Sequence, residues 1–247
     1  MKNAFSKTDM QEIKFLPCGD SAVTVEFSRE ISEETNKKIR FLATEIEKRG
    51  VKGVNETIPT FCSITVLFDP QKTSEKKLSR EVRKILSNYK EGENSKKRVF
   101  LIPVCYDGEY APDMEDVCKI TGLSKEEVVE IHTSRDYLIY MLGFLPGFPY
   151  LGGMDERIEA PRLDSPRTSI TEGSVGIGGK QTGIYPLASP GGWRLIGRTP
   201  VKLYDTEREE PILYRAGDYI RFYPIDKEKF DEIAKNSASV IETEESN

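Results

Sequence analysis

Between residues 13 and 90 the apolar positions alternate between a period of two and a period near 3.6. Val23, Val25 and Phe27 alternate with polar neighbours, so Ala22 to Phe27 reads as a strand, joined to a shorter one at Ile13 to Leu16 through a turn at Gly19-Asp20. Ile39, Leu42, Ala43 and Ile46 then recur at helical spacing. Ser32 starts that helix, Glu33 and Glu34 suit its positive first turn, and Gly50 suits its end. Strands follow at Val54 to Pro59 and Cys62 to Phe68, and a second helix from Ser74 carries Leu78, Val82, Ile85 and Leu86 on one face. The pattern predicts a small, sandwich-like N-terminal α+β domain over residues 1–92.

The polar, charged run Lys90 to Arg98 reads as a linker. Beyond it, helices are predicted at Asp113 to Lys119 and Ser124 to His132, the second opening with Ser124 and Glu127 in capping-box spacing. Then the character changes. Residues 143–197 hold 12 of the 19 glycines and 143–200 hold 7 of the 14 prolines, which excludes long helices there. Short alternating strands at Val201 to Tyr204, Ile212 to Arg215 and Tyr219 to Tyr223 complete a pattern of many tight turns. A β-barrel domain is therefore expected over 93–236, followed by a frayed polar tail over 237–247.

Composition narrows the functional classes. The 247 residues carry 36 Lys+Arg against 41 Asp+Glu, a net charge of −5, so the broad basic field that drives nucleic-acid binding is missing. No run approaches the roughly 18 apolar residues of a membrane span, and the N-terminal residues lack the apolar core of a signal peptide, so a cytoplasmic protein is expected. Cys18, Cys62, Cys105 and Cys118 are far apart, and His132 is the single histidine. That spacing predicts no metal site, and the cysteines read as reduced, mostly buried hydrophobes.

Three clusters can carry chemistry. His132, the natural proton-transfer group near neutral pH, precedes Gly143-Phe-Leu-Pro-Gly-Phe-Pro-Tyr-Leu-Gly-Gly153, whose Phe144, Phe148 and Tyr150 suggest an apolar wall of a pocket or a partner surface. A histidine at a helix end also interacts well with the dipole without any catalysis. Gly173 to Gly183 invites comparison with phosphate loops, but Ser174 and Gln181 break a Walker pattern, and Gln181 replaces the third glycine of a dinucleotide fingerprint. What remains is a glycine-rich turn with Lys180 and Gln181 as a charge and an amide. Arg162, Arg167, Lys180, Arg194 and Arg198 form a local basic set able to bind phosphate or carboxylate if the fold gathers them. No G-x-S-x-G elbow supports a serine hydrolase.

Several of these segments together resemble one family. His132-Thr-Ser, Tyr140 to Gly153, Pro161-Arg, Pro166-Arg-Thr, Gly173-Ser-Val, Gln181 to Pro186 and Ser189-Pro-Gly-Gly-Trp-Arg-Leu-Ile-Gly-Arg-Thr-Pro200 look like the KipI-type family, as does Leu16-Pro-Cys-Gly-Asp-Ser-Ala near the N-terminus. The resemblance spans roughly residues 12–226, with Gly178 standing where Ala is more usual. It implies a cyclophilin-like barrel after the α+β domain, and a role as the B component of an ATP-dependent 5-oxoprolinase that hydrolyses 5-oxo-L-proline to L-glutamate. It further implies KipA-type and LamB-type partner subunits, ATP with Mg²⁺ for the complex, and little activity alone. Members of the family are also associated with urea or allophanate metabolism and with inhibition of a sporulation histidine kinase, which are the alternatives. Carried onto this chain, His132, Gln181 and Arg194 are the expected catalytic set. Phe144, Phe148, Tyr150, Arg167, Lys180 and Arg198 are the expected substrate-binding set, with Arg167 and Arg194 as an anion clamp.

Overall fold

The structure, a computed structural model, describes residues 12–90, 97–235 and 243–246. The chain divides into two compact units, Met1–Ser95 and Lys96–Asn247. Most of the expected linker, residues 91–96, lies outside the described residues.

In the first unit the strands β1 (Lys14–Pro17), β2 (Ala22–Glu26), β3 (Val54–Pro59) and β4 (Ser63–Phe68) form an antiparallel sheet in the order β1-β2-β4-β3. Helices α1 (Glu33–Arg49) and α2 (Glu75–Leu86) join them. Val23, Val25, Ile64, Val66 and Phe68 alternate onto one face, where they pack with Ile39, Leu42 and Ile46 of α1 and Leu78, Val82, Ile85 and Leu86 of α2. Helix α1 is bounded as its sequence predicts. The Ser32 hydroxyl accepts from the Thr35 N–H, and Gly50, in the left-handed region at φ 54°, ends the helix.

The second unit is built on a barrel. Strands β5 (Lys97–Cys105), β6 (Asp136–Leu142), β7 (Pro149–Gly152), β9 (Ser174–Gly178), β10 (Gln181–Ile184), β12 (Arg194–Arg198) and β13 (Tyr219–Ile225) run in the order β12-β9-β10-β7-β6-β13-β5. Pairing of Arg198 with Cys105 closes the ring, and β13 with β5 is its one parallel pair among the described strands. Ile102, Val104, Tyr137, Ile139, Leu151, Val175, Ile177, Ile196, Ile220 and Phe222 fill the interior. Helices α3 (Met114–Thr121) and α4 (Lys125–Thr133) add Val117, Val128 and Ile131 to the same core. The capping box of α4 forms as expected: the Ser124 hydroxyl accepts from the Glu127 N–H, and the Glu127 carboxylate accepts from the Ser124 N–H. Strands β8 (Arg167–Ile170) and β11 (Ser189–Gly191) make a small side sheet.

Three expectations change. Val201 to Tyr204 and Ile212 to Arg215 are not strands; they meet at one bridge, Tyr204 with Ile212, because residues between them are occupied by turns instead of a ladder. A helix, α5 (Lys227–Lys235), anchors Phe230 against Tyr110 at 4.4 Å, although its sequence has only one buried position to announce it. Within the tail expected to fray, Thr243–Ser246 pairs as strand β14 with Phe100 to Lys97. The reason is an open edge: β12 reaches β5 only at Cys105, leaving the N-terminal half of β5 with unpaired backbone groups. The remainder of 237–247, residues 237–242 and 247, lies outside the described residues.

Candidate functional site

His132 sits in the barrel core, fully buried, at the end of α4. Its Nδ1 is 2.8 Å from the Tyr106 phenol and its Nε2 is 2.9 Å from the Thr182 hydroxyl. Thr182 donates its own proton to the Gly176 carbonyl at 3.1 Å, so it accepts from Nε2–H, which leaves Nδ1 to accept from Tyr106. The ring stacks on Phe222 at 4.5 Å, and the Tyr137 phenol donates to the His132 carbonyl. Burial drives the imidazole pKa from 6.5 down to about 3. A neutral ring with both nitrogens occupied and no solvent contact does not exchange protons with a substrate. The expected catalytic role of His132 is thus replaced by a structural one, tying α4 and β5 to the β9–β10 hairpin.

Gln181 precedes Thr182 on β10, and strand alternation puts their side chains on opposite faces. Thr182 points into the core beside His132 and Gln181 is half-buried outside it, so Gln181 does not share a pocket with His132. Lys180 is 83% exposed and 3.8 Å from Glu159. Arg198 donates to the Glu172 carbonyl and lies 5.8 Å from the Phe230 ring. Arg194 is committed to the Pro161 carbonyl at 3.0 Å and Asp116 at 3.1 Å. The single basic cluster anticipated from the sequence is therefore distributed over separate partners, and Arg194 is not a free half of an anion clamp.

What the fold does assemble is an aromatic cluster flanked by two guanidinium groups. Phe148, Ile170, Tyr185, Trp193 and Leu195 form a small core of their own, with Leu145 and Tyr150 against it. Phe148 is its hub, with ring centroids 5.0 Å from Tyr150, 5.2 Å from Tyr185 and 5.5 Å from Trp193. Arg162 lies 5.7 Å from the Trp193 ring centroid. The Tyr185 phenol is raised above its usual pKa, mainly by burial, against a hydrogen bond to the Trp193 backbone and the charges of Arg162 and Arg167. Arg167 donates to Asp113 at 2.5 Å through Nη2, while its Nη1 is buried with no hydrogen-bond partner in the chain. Such an orphan donor is costly unless something polar satisfies it. Asp113 itself is 4% exposed and accepts from the Leu195 N–H at 2.7 Å, so the carboxylate fixes Arg167 to the barrel wall.

Sequence reasoning found Phe148, Tyr150, Arg162 and Arg167 but missed Tyr185 and Asp113. Asp113 reads as a helix start, and it does stand before α3, yet its side chain makes no cap hydrogen bond and turns to Arg167 and Leu195 instead. Phe144, expected in the pocket wall, is 63% exposed and touches the cluster through Phe148, at 5.7 Å and edge-on. The cysteines are free, with Cys105 buried, Cys62 and Cys118 partly covered, and Cys18 exposed, contrary to the expectation of general burial. Burial raises the thiol pKa of Cys62, Cys105 and Cys118, which keeps them protonated.

In the β9–β10 turn Gly178 serves packing, since a Cβ there would lie 2.6 Å from the Trp193 indole, and Gly179 serves the turn itself through its φ of 65°. Among the described residues no three His, Cys, Asp or Glu side chains gather as a metal-holding group. Among the same residues, no helix is long and apolar enough to cross a membrane.

Residues 13–214 match the family of the carboxyltransferase domain, subdomain C and D. A protein of Bacillus subtilis, strain 168, named as the B component of 5-oxoprolinase, is 46% identical over 222 residues, covering 86% of this chain and 92% of that one. The crystal structure of TTHA0988 superposes with a TM-score of 0.73 at 35% identity over 83% of this chain, which spans only 40% of that protein. The K. lactis urea amidolyase superposes with a TM-score of 0.81, covering 97% of this chain and 17% of that one; at 23% identity this likeness concerns the fold.

Proposed function

We propose, from the premise that this chain belongs to the carboxyltransferase subdomain C and D family, that it is the B component of a 5-oxoprolinase and works only within a multi-subunit hydrolase. The observation that carries the reading is the 46% identity to the B. subtilis protein over nearly the whole of both chains. The partners in this reading are a KipA-type and a LamB-type subunit.

The substrate in this reading is a five-membered lactam bearing a carboxylate. The half-buried Leu145 and Tyr150, packed on the buried Phe148, Tyr185 and Trp193, offer an apolar surface for the ring. The exposed Arg162 and the half-buried Arg167 offer positive charge to the carboxylate. Asp113 acts as a positioning residue by fixing the Arg167 guanidinium. An unstrained lactam is a poor electrophile, and phosphorylation of its oxygen by ATP with Mg²⁺ supplies the missing activation. In this reading the nucleotide belongs to the partner subunits, and this chain binds and orients the lactam.

The test is ADP and glutamate release from 5-oxoproline with Mg²⁺-ATP, comparing the chain alone with a mixture containing both partner subunits. Coupled turnover in the mixture and none from the chain alone is the expected result. A verified, folded complex without turnover overturns the assignment and favours a kinase-inhibitory or urea-related role.

A further inference from the structure

Phe144 is held where it costs free energy in two ways. Its φ of 66° is the one positive value outside glycine among the described residues. The Leu145 N–H donates to the Gly143 carbonyl at 2.7 Å, so Phe144 is the central residue of a γ-turn of the strained hand. Its ring is also the most exposed large apolar side chain among the described residues, at 63%.

The neighbouring structure prevents relaxation. The Gly143 N–H donates to the Phe148 carbonyl at 3.2 Å and the Phe148 N–H to the Leu145 carbonyl at 3.1 Å. The Tyr214 phenol donates to the Gly147 carbonyl at 2.9 Å, and Phe148 is locked in the aromatic cluster at 2% exposure. Strain of this kind persists only where the surroundings over-determine it. A rigid, exposed aromatic has little entropy left to lose on binding, which suits an interface anchor.

We propose that Phe144 is the aromatic anchor by which this chain docks into an apolar socket on a partner subunit. The inference rests on the reading of this chain as one component of a larger hydrolase. No charged residue occurs in the loop from Gly143 to Gly147, so the part of the complementary surface that takes the ring is apolar and uncharged. TTHA0988 is well over twice the length that this chain covers, so a related fold exists with further polypeptide attached to it, consistent with a partner as the occupant. A small lactam is a poorer occupant, because the ring meets the aromatic cluster only through the edge contact with Phe148.

The test measures association of the full chain with the KipA-type and LamB-type subunits, for the wild type, Phe144→Ala and Phe144→Gly. Both variants are expected to bind about tenfold or more weakly. Because both lack the ring, their difference reads the backbone: the Gly variant is expected to melt about 2–4 °C above the Ala variant. Association of both variants within twofold of the wild type overturns the proposal, and so does unchanged association with a raised KM, which assigns the ring to the substrate. A wild-type chain that associates with neither partner overturns this proposal and the multi-subunit reading together. A wild-type complex that assembles and turns over while Phe144→Ala assembles normally overturns this proposal alone.

Discussion

Nε2 of His132 and Oγ1 of Thr182, 50 residues apart in the chain, lie 2.9 Å from each other in the barrel core. The contact fixes the imidazole as a neutral hydrogen-bond donor on one side and an acceptor on the other. Its consequence is a pH-dependent stability with a defined sign. The folded pKa is about 3 and the ordinary value is 6.5, so the unfolded chain binds the extra proton between those limits. Stability from this group is complete above pH 6.5 and falls as pH drops toward 3, by about 1.4 kcal/mol per pH unit. Denaturant midpoints measured from pH 7.5 to 4.5 should show this loss in the wild type and a smaller slope in His132→Gln. Equal slopes would show that His132 is not the linked group.

Substitution of Asp113 separates holding from binding. Asp113→Ala leaves the Leu195 N–H and Arg167 without their acceptor, and a loss of about 2–4 kcal/mol in stability is expected. In the assembled complex Asp113→Asn, which keeps an acceptor for Leu195 but loses the charge, should raise KM about tenfold with kcat changed less. Steady-state kinetics at varied 5-oxoproline decide this, and an unchanged KM would remove Arg167 from the substrate site.

Gly178 tests the hairpin. An added methyl would lie 2.6 Å from the Trp193 indole, so Gly178→Ala must displace the ring. A cost of about 1–3 kcal/mol is expected. Trp193 is the sole tryptophan, and its emission maximum should shift to longer wavelength as the indole gains water. Unaltered emission and stability would show that the indole is not seated on Gly178.

Local chemistry made much of the chain legible. Ser32 and Gly50 bound α1, the Ser124–Glu127 box opens α4, and the alternation at Val23 and Val25 marks a core strand, because each depends on neighbours within a few residues. The glycine and proline density after residue 143 correctly excluded long helices. The motifs from His132 to Pro200 also carried the family. Residue roles were another matter. His132 looked like a proton carrier because nothing nearby in sequence shows Tyr106, Thr182 and Phe222 closing around it. Arg167 and Arg194 looked like one clamp until the fold set a different aspartate, Asp113 or Asp116, against each.

The sequence alone thus determined the elements, their caps and the family, since these rest on short-range periodicity and on motifs that survive in linear order. Only the tertiary structure decided which polar groups are satisfied. Burial and hydrogen bonding depend on residues brought together across 50 to 82 positions, as in His132 with Thr182 and Asp113 with Leu195. Ring closure at Arg198 and Cys105 likewise left an edge on β5 that β14 covers, a choice set by unpaired backbone and not by the polar composition of the tail.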